Sequence, residues 1–377
     1  NQFLNAFKYL KSTNQNSFFE VPFNKAANNL IFRQKNIGIA NSLTIAIRDP
    51  LAVFVIFFMV LVQVKLLGLP AAPVFVSIIL FYRALNSIIG TQINWQQAME
   101  FIGSLEIIDD ENKKLEKNLE KNGQIFIKDL KEGILFKEIG LKLDKKQNNI
   151  LKGITLYIPK NRTIAIVGPS GAGKSTIIDL LTLNRIPTEG YLYIDKFNSL
   201  DINKKSWRSL IGYVQQENTI FDCSIRQNIT MISEEKKNHK NLNQRIISAA
   251  KAANIHDFIE SLPEGYSTPA GDKGIRLSGG QRQRICLARE IFRRPKIMLL
   301  DEATSALDIK NEKIIQKSIE NLKGKQTTIL ITHRLSLIKF CDYIYVIDKG
   351  KIIEEGQYKN LISKKDSYLN IDKDILN

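Results

Sequence analysis

The sequence predicts an all-α transmembrane helical segment followed by an α/β domain. Three observations carry the prediction. Two apolar runs, Leu51 to Leu69 and Val74 to about Ile89, are each near the ~20 residues a helix needs to cross a bilayer. From Ile125 onward, apolar runs alternate with helical patterns, the order of an α/β fold. Within that half, the β-branched run Thr163 to Val167 leads through a glycine-rich loop into an apolar-periodic run, Thr176 to Leu183.

The two apolar runs are joined by Gly68-Leu69-Pro70-Ala71-Ala72-Pro73, a tight Gly/Pro break. They read as a helical hairpin with transmembrane helices at about 51–69 and 74–92. The flank before Leu51 carries Lys8, Lys11, Lys25, Arg33, Lys35 and Arg48 against Glu20 and Asp49. The positive-inside rule puts that flank in the cytoplasm. Trp95 follows the second run, at a position that suits an interfacial indole or plain packing. Lys65 lies near the outer turn and can snorkel. Arg83 lies ten residues past Pro73, roughly 15 Å down a helix and near mid-bilayer. Ionisable groups at that depth face a protein cavity or a pathway. Arg83 therefore pairs with a polar group on another helix or, as the functional reading, contacts an anionic part of a substrate. Asp109 to Gln124 is a run of solvated charge and reads as a linker without chemistry.

Gly168-Pro169-Ser170-Gly171-Ala172-Gly173-Lys174-Ser175-Thr176 fits G-x-x-x-x-G-K-[ST]. The strand before it and the helix after it are the context that motif requires, which makes the second half an α/β P-loop NTPase domain. Glycines let backbone N–H groups wrap a polyphosphate, and the helix N-terminus adds positive partial charge. The phosphate-contacting set is Gly168, Ser170, Gly171, Gly173, Lys174, Ser175 and Thr176. Lys174 can reach the β- and γ-phosphates of ATP, and the Ser175 hydroxyl can ligand Mg²⁺. Ile297 to Glu302 is an apolar strand ending in two carboxylates. Asp301 there can hold Mg²⁺, and Glu302 is placed to polarise an attacking water as general base. Ser278-Gly279-Gly280-Gln281 opens a second helix and offers a second anion-binding N-terminus.

With Leu277-Ser278-Gly279-Gly280-Gln281 beside the phosphate loop, the chain resembles the ATP-binding cassette (ABC) transporter family. The likeness is to the exporter branch, where membrane and cassette domains share one polypeptide. It implies a half-transporter: residues 1–108 as the C-terminal part of a membrane domain, 109–124 as linker, and 125–377 as the nucleotide-binding domain. Family exporters carry six transmembrane helices per half, so the two found here imply a fragment or a split gene. The resemblance makes Gln216 the Mg²⁺- and water-contacting glutamine, with Gln215 as the alternative register. It makes His333 the γ-phosphate contact and Asp308, in Thr304 to Asp308, a contact to the partner subunit. Thr268 to Gly274 resembles the segment that senses the partner's membrane domain; Asp272 stands where exporters usually have Glu. The stretch between Gln216 and Leu277 is expected to form a mostly helical subdomain. Leu143 occupies the place of the usual adenine-stacking aromatic, which implies weakened nucleotide affinity.

The implied activity is ATPase coupled to transport. A second ABC subunit would supply Ser278, Gly279, Gly280 and Gln281 to each site, in a homodimer or with a different partner chain. The implied location is a membrane, a bacterial inner membrane, with the nucleotide-binding domain in the cytoplasm and lipid as a partner. The substrate reading is a lipid or lipid-linked glycan, with peptide or drug export as the alternative. A soluble ABC ATPase of DNA repair or translation is the more distant one, and the apolar runs argue against it. The net charge of +16 permits nucleic-acid or anionic-membrane binding. Lys, Asn and Ile are abundant throughout, however, so charge alone decides nothing, and no nucleic-acid partner is expected. The three cysteines, Cys223, Cys286 and Cys341, form no CxxC pair and read as free thiols.

Overall fold

The computed structural model describes residues 9–14, 17–66, 68, 71–117, 119–142, 149–231, 241–302, 316–317, 319–320, 323–332, 334–364 and 367–371. Leu143, His333, Thr304 to Asp308 and the charged stretch Glu234 to Lys240 lie outside the described residues. The chain divides into two compact units, residues 1–119 and 120–377.

The first unit is built on two long helices, α1 (Ser17–Leu61) and α2 (Ala71–Lys117). Their 45 and 47 residues make each about 70 Å long, over twice the ~30 Å of a bilayer core. The first apolar run is thus the end of α1, and it continues as a π-helical stretch, Val62–Leu66. Phe75–Lys117, within α2, holds an 18-residue stretch with a mean hydropathy of 1.3, long and apolar enough to cross a membrane. Phe75, Ile79, Leu80 and Ile88 on α2 are 67, 66, 62 and 69 % exposed. Side chains of that kind, uncovered by protein, suit a lipid environment.

One boundary differs from the sequence reading. The first part of the expected linker is helical, because α2 runs on to Lys117. Its charges alternate at helical spacing. Lys113 pairs with Asp109 at 2.5 Å and Lys114 with Glu111 at 2.6 Å, which supports a helix rather than a loop. The division between units falls after Leu119.

The second unit holds strands β1 (Gly133–Leu141), β2 (Leu151–Pro159) and β3 (Thr163–Val167), then α3 (Lys174–Leu181). Next come β4 (Glu189–Ile194), β5 (Phe197–Asn198), α4 (Lys204–Ser209) and β6 (Ile211–Val214). Three helices follow, α5 (Ile225–Thr230), α6 (Leu242–Ala252) and α7 (His256–Glu260), the helical subdomain expected there. After α8 (Gly279–Arg293) come β7 (Ile297–Asp301), β8 (Thr327–Ile331) and α9 (Leu335–Ile338). The hairpin β9 (Tyr343–Asp348) and β10 (Lys351–Gly356) precedes the short helices α10 (Tyr358–Ile362) and α11 (Tyr368–Ile371).

Among the described residues the strands form two sheets. One is antiparallel, in the order β2-β1-β4-β5. The other runs β10-β9-β3-β8-β7-β6 and is parallel except at the β10 edge. Every residue of β3, β7 and β8 is buried, which is why these strands read as unbroken apolar runs. Side-chain alternation divides β3 between two cores. Ala165 and Val167 pack with α8 and the helical subdomain, whereas Ile164 and Ile166 pack with α3 and the antiparallel sheet. Parallel strands leave their C-terminal ends together, and this places the loop after β3 beside the end of β7.

A candidate nucleotide site

The loop at the end of β3 is shaped by two glycines. Gly168 has φ 151°, and a Cβ there would collide with the carbonyl of Ile347 on neighbouring β9. Gly173 has φ 105°, and a Cβ would press on the Leu151 side chain. Gly173 caps α3 without a side-chain hydrogen bond. The first-turn N–H groups of a helix have no intrahelical acceptor. The start of α3 therefore presents donors and positive partial charge to an anion. Lys174 is 6 % exposed, and its Nζ donates to the carbonyls of Gly168 at 2.7 Å and Pro169 at 2.8 Å. Ser170, Gly171 and Ser175 are exposed on the same loop, and Thr176 is half-buried.

β7 delivers the carboxylates. Asp301 ends the strand and is 5 % exposed; Glu302 follows at φ 45°, a left-handed conformation uncommon for a residue with a side chain. The Glu302 N–H donates to Ile331 O at 2.9 Å, which fixes the turn. Burial raises the Asp301 pKa, and the Glu302 charge raises it further; Tyr213 and Lys174 oppose both. For Lys174, burial lowers the pKa while Glu302 and then Asp301 raise it. Two adjacent carboxylates facing one ammonium leave the pocket short of positive charge. A hard cation with oxygen ligands would supply it. Ser175, Asp301 and Gln216 are the oxygen-bearing side chains for that role.

Gln216 lies on the loop after β6, and its Nε2 donates to Glu302 Oε2 at 2.7 Å. Its amide oxygen is then left for a cation or a water. Gln215, the other register, instead lines a neighbouring cavity with Tyr213, Asn218 and Arg289. The structure thus brings Lys174, Asp301, Glu302 and Gln216 together. It also brings in Tyr213, which the sequence reading missed: its phenol donates to Asp301 Oδ2 at 3.4 Å. In the parallel pairing of β6 with β7, Tyr213 sits opposite Leu299. Leu299 and Asp301 share a face of β7, so that pairing, had it been known, would have pointed to Tyr213.

Ser278 caps α8 in a reciprocal box. Its Oγ accepts from Gln281 N at 3.3 Å, and Gln281 Oε1 accepts from Ser278 N at 2.7 Å. The hydroxyl hydrogen of Ser278 is then available to an anion at the first turn, beside Gly279 and Gly280. These four residues stand on a helix separate from the phosphate loop.

Residues 151–305 match the family described as ABC transporter. All the candidate residues from Gly168 to Glu302 fall in that range, and His333 lies beyond it. The fold is similar to the solved structure of a bacterial Atm1-family ABC exporter with ATP bound. The TM-score is 0.80 and the identity 27 %, over 97 % of this chain and 64 % of that one. Residues 151–305 are thus an ABC transporter domain. The likeness to that solved chain shows an exporter-type fold. Among curated ABC relatives, it is 45 % identical over 249 residues to multidrug resistance protein 1 of Entamoeba histolytica. It is 44 % identical over 219 residues to ABC transporter B family member 14 of Arabidopsis thaliana. These stretches are 66 and 58 % of this chain and 19 and 17 % of the relatives. The chain thus spans about a fifth of the length of the curated relatives it matches.

Proposed function

We propose that this chain is the ATP-hydrolysing part of an exporter. In this reading two such cassettes close head to tail over two ATP molecules. The observation that carries it is the convergence of Lys174, Asp301, Glu302 and Gln216 at the strand ends, against a helix start with no side-chain cap. The loop from Gly168 to Thr176 holds the phosphates with its N–H groups, and Lys174 turns from its own loop carbonyls to the β- and γ-phosphates. Ser175, Asp301 and Gln216 would hold Mg²⁺, whose charge would offset that of the phosphate oxygens. Glu302 takes a proton from the attacking water as the γ-phosphoryl passes to that water, leaving ADP and phosphate. Gln216, hydrogen-bonded to Glu302, orients the same water. His333 contacts the γ-phosphate.

The other wall of each site comes from a second subunit, whose Ser278, Gly279, Gly280 and Gln281 face the γ-phosphate. A homodimer with two working sites is self-consistent because one chain carries both halves. Closure of the cassettes moves helices in a membrane, a bacterial inner membrane in this reading, with the cassettes on the cytoplasmic side. For the substrate, Arg83 favours a lipid or lipid-linked glycan with an anionic headgroup. A drug substrate is the second reading, favoured by the names of the Entamoeba and Trichophyton relatives, which are multidrug proteins.

The test is Glu302→Gln in the intact protein. ATP binding is expected to persist while phosphate release falls about 100-fold, the usual scale for a positioned general base. Wild-type turnover in that variant would remove Glu302 from the base role. Absence of Mg²⁺-dependent phosphate release by the wild type would remove the activity altogether.

A further inference from the structure

We propose that Arg289 is a positioning residue that locks the Gln216 loop to α8, the helix capped by Ser278. The proposal rests on the ATPase reading above.

Arg289 is 8 % exposed, and its guanidinium gives its hydrogen bonds to one short segment. Nε donates to Asn228 O at 2.7 Å, Nη2 to Asn228 Oδ1 at 3.0 Å, and Nη1 to Thr219 O at 3.0 Å. The guanidinium carbon stands 5.5 Å from the Phe221 ring centre. Asn228 is fully buried and is the second half of the hub. Its Oδ1 also accepts from Phe221 N at 2.9 Å, and its Nδ2 donates to Phe221 O at 2.9 Å and to Ser224 O at 3.2 Å. Arg289 and Asn228 together therefore specify the path of the chain from Thr219 to Ser224.

That path begins three residues after Gln216, the residue that reaches Glu302. Three residues of chain span at most ~11 Å, so the position of Thr219 limits where the Gln216 amide can stand. At its other end α8 begins at the Ser278 cap, about 16 Å from Arg289 at 1.5 Å per residue. A helix of that length moves as a rigid rod. In the proposed dimer Ser278 faces the partner's nucleotide, whereas Gln216 faces this chain's own. Arg289 is the tie between the two ends. Its desolvation is costly, and an apolar side chain would fill the space more cheaply. A tie that must fix three oxygens at once explains a planar five-donor group there.

The test uses the intact protein in proteoliposomes, with wild type, Arg289→Lys, Gln216→Ala and the double variant. Phosphate release is measured against ATP and Mg²⁺ concentration, and thermal midpoints are read without nucleotide. Arg289→Lys keeps the charge and loses the fork. It is expected to lower kcat about tenfold and to raise the Mg²⁺ half-saturation, with little change in the KM for ATP, since small misplacement acts on the reacting geometry. In the Gln216→Ala background the same substitution is expected to change kcat less than about twofold, because a residue acting through Gln216 has nothing left to position. Equal loss in both backgrounds, or no loss in either, would overturn the proposal while wild-type turnover kept the ATPase reading intact. A wild type without turnover would end both.

If Arg289→Lys does not fold, hydrogen exchange on Glu302→Gln decides. Adding ATP and Mg²⁺ is expected to raise amide protection in 219–228 and 279–289 together. Protection of 279–289 without 219–228 would overturn the proposal.

Discussion

Asp301 carries a charge that its surroundings do not favour. Burial and then the adjacent Glu302 raise its pKa from the ordinary aspartate value, so folding favours the protonated form relative to the unfolded chain. A raised folded pKa gives stability that is present below the unfolded value of about 3.9 and is lost as pH rises through the folded one. At neutral pH, without nucleotide or Mg²⁺, ionised Asp301 therefore costs stability. Asp301→Asn is expected to raise the thermal midpoint of the nucleotide-free protein at pH 7, and the advantage is expected to shrink below about pH 4, where the aspartate is itself protonated. The same variant is expected to lose Mg²⁺-dependent turnover. A lower midpoint at pH 7 would show that the hydrogen bond from Tyr213 outweighs the charge. At this scale the sequence was legible where a motif fixes spacing along the chain. Lys174, Asp301 and Glu302 follow from local strings that end strands or start helices. Tyr213 did not follow, because its contact depends on the pairing of β6 with β7, which no local string encodes. Gln216 and Gln215 were left as alternatives, and the hydrogen bond to Glu302 distinguishes them by geometry.

The elements were legible wherever burial is uniform. β3 is read with its bounds and β7 to within one residue, since it ends at Asp301 and not Glu302, because a strand buried on both faces is a continuous β-branched or aliphatic run. The α2 extension was not, since its final two turns carry charge on every side and read as linker. The pairing of Lys113 with Asp109 at i,i+4 and of Lys114 with Glu111 at i,i+3 marks them as helix. β1 shows the opposite problem: Glu138 sits at φ 51° within register shifts against both neighbours, and a bulge of that kind leaves no apolar signature. Two predictions belong to this scale. In the proposed function the α8 cap serves both the helix and a ligand, and Ser278→Asp separates the two roles. Asp is as good an N-cap as Ser and adds a favourable dipole interaction, so the thermal midpoint is expected to hold or rise. Its negative charge would repel phosphate, so turnover is expected to fall at least about 100-fold. Turnover near wild type would leave Ser278 a cap alone. The second concerns how the two sheets are joined. Tyr345 is 5 % exposed, and its phenol donates to Tyr157 O and accepts from Tyr157 N, both at 3.0 Å. Tyr345→Phe strands both backbone groups and is expected to cost about 1–3 kcal/mol. The urea midpoint would drop at unchanged slope, and an unchanged midpoint would mean that water replaces the phenol.

At the scale of the whole molecule, the net charge of +16 and two long helices meet in one residue. Arg83 is exposed on α2, in the apolar part of the helix. An arginine at the centre of a membrane helix costs about 2.5–3.5 kcal/mol on insertion scales, so its presence calls for an anionic or polar counterpart. Two counterparts are available in principle: a group on a neighbouring helix, or the headgroup of a transported lipid. They differ in what happens when substrate is added. A structural counterpart is present at all times, so losing Arg83 lowers stability and turnover alike, whatever lipid surrounds the protein. A headgroup is present only with substrate, so Arg83 then matters only for stimulated turnover. Phosphate release by the intact protein in proteoliposomes, with and without an anionic glycolipid, is therefore to be compared between wild type and Arg83→Ala. Stimulation of the wild type that vanishes in the variant is the expected result, and it would assign Arg83 to the headgroup. Equal turnover in all four conditions would take the lipid reading away and leave the drug reading of the proposed function to be tried next. Loss in the variant under both conditions, with a lowered thermal midpoint, would identify Arg83 as one half of a buried pair within the membrane domain.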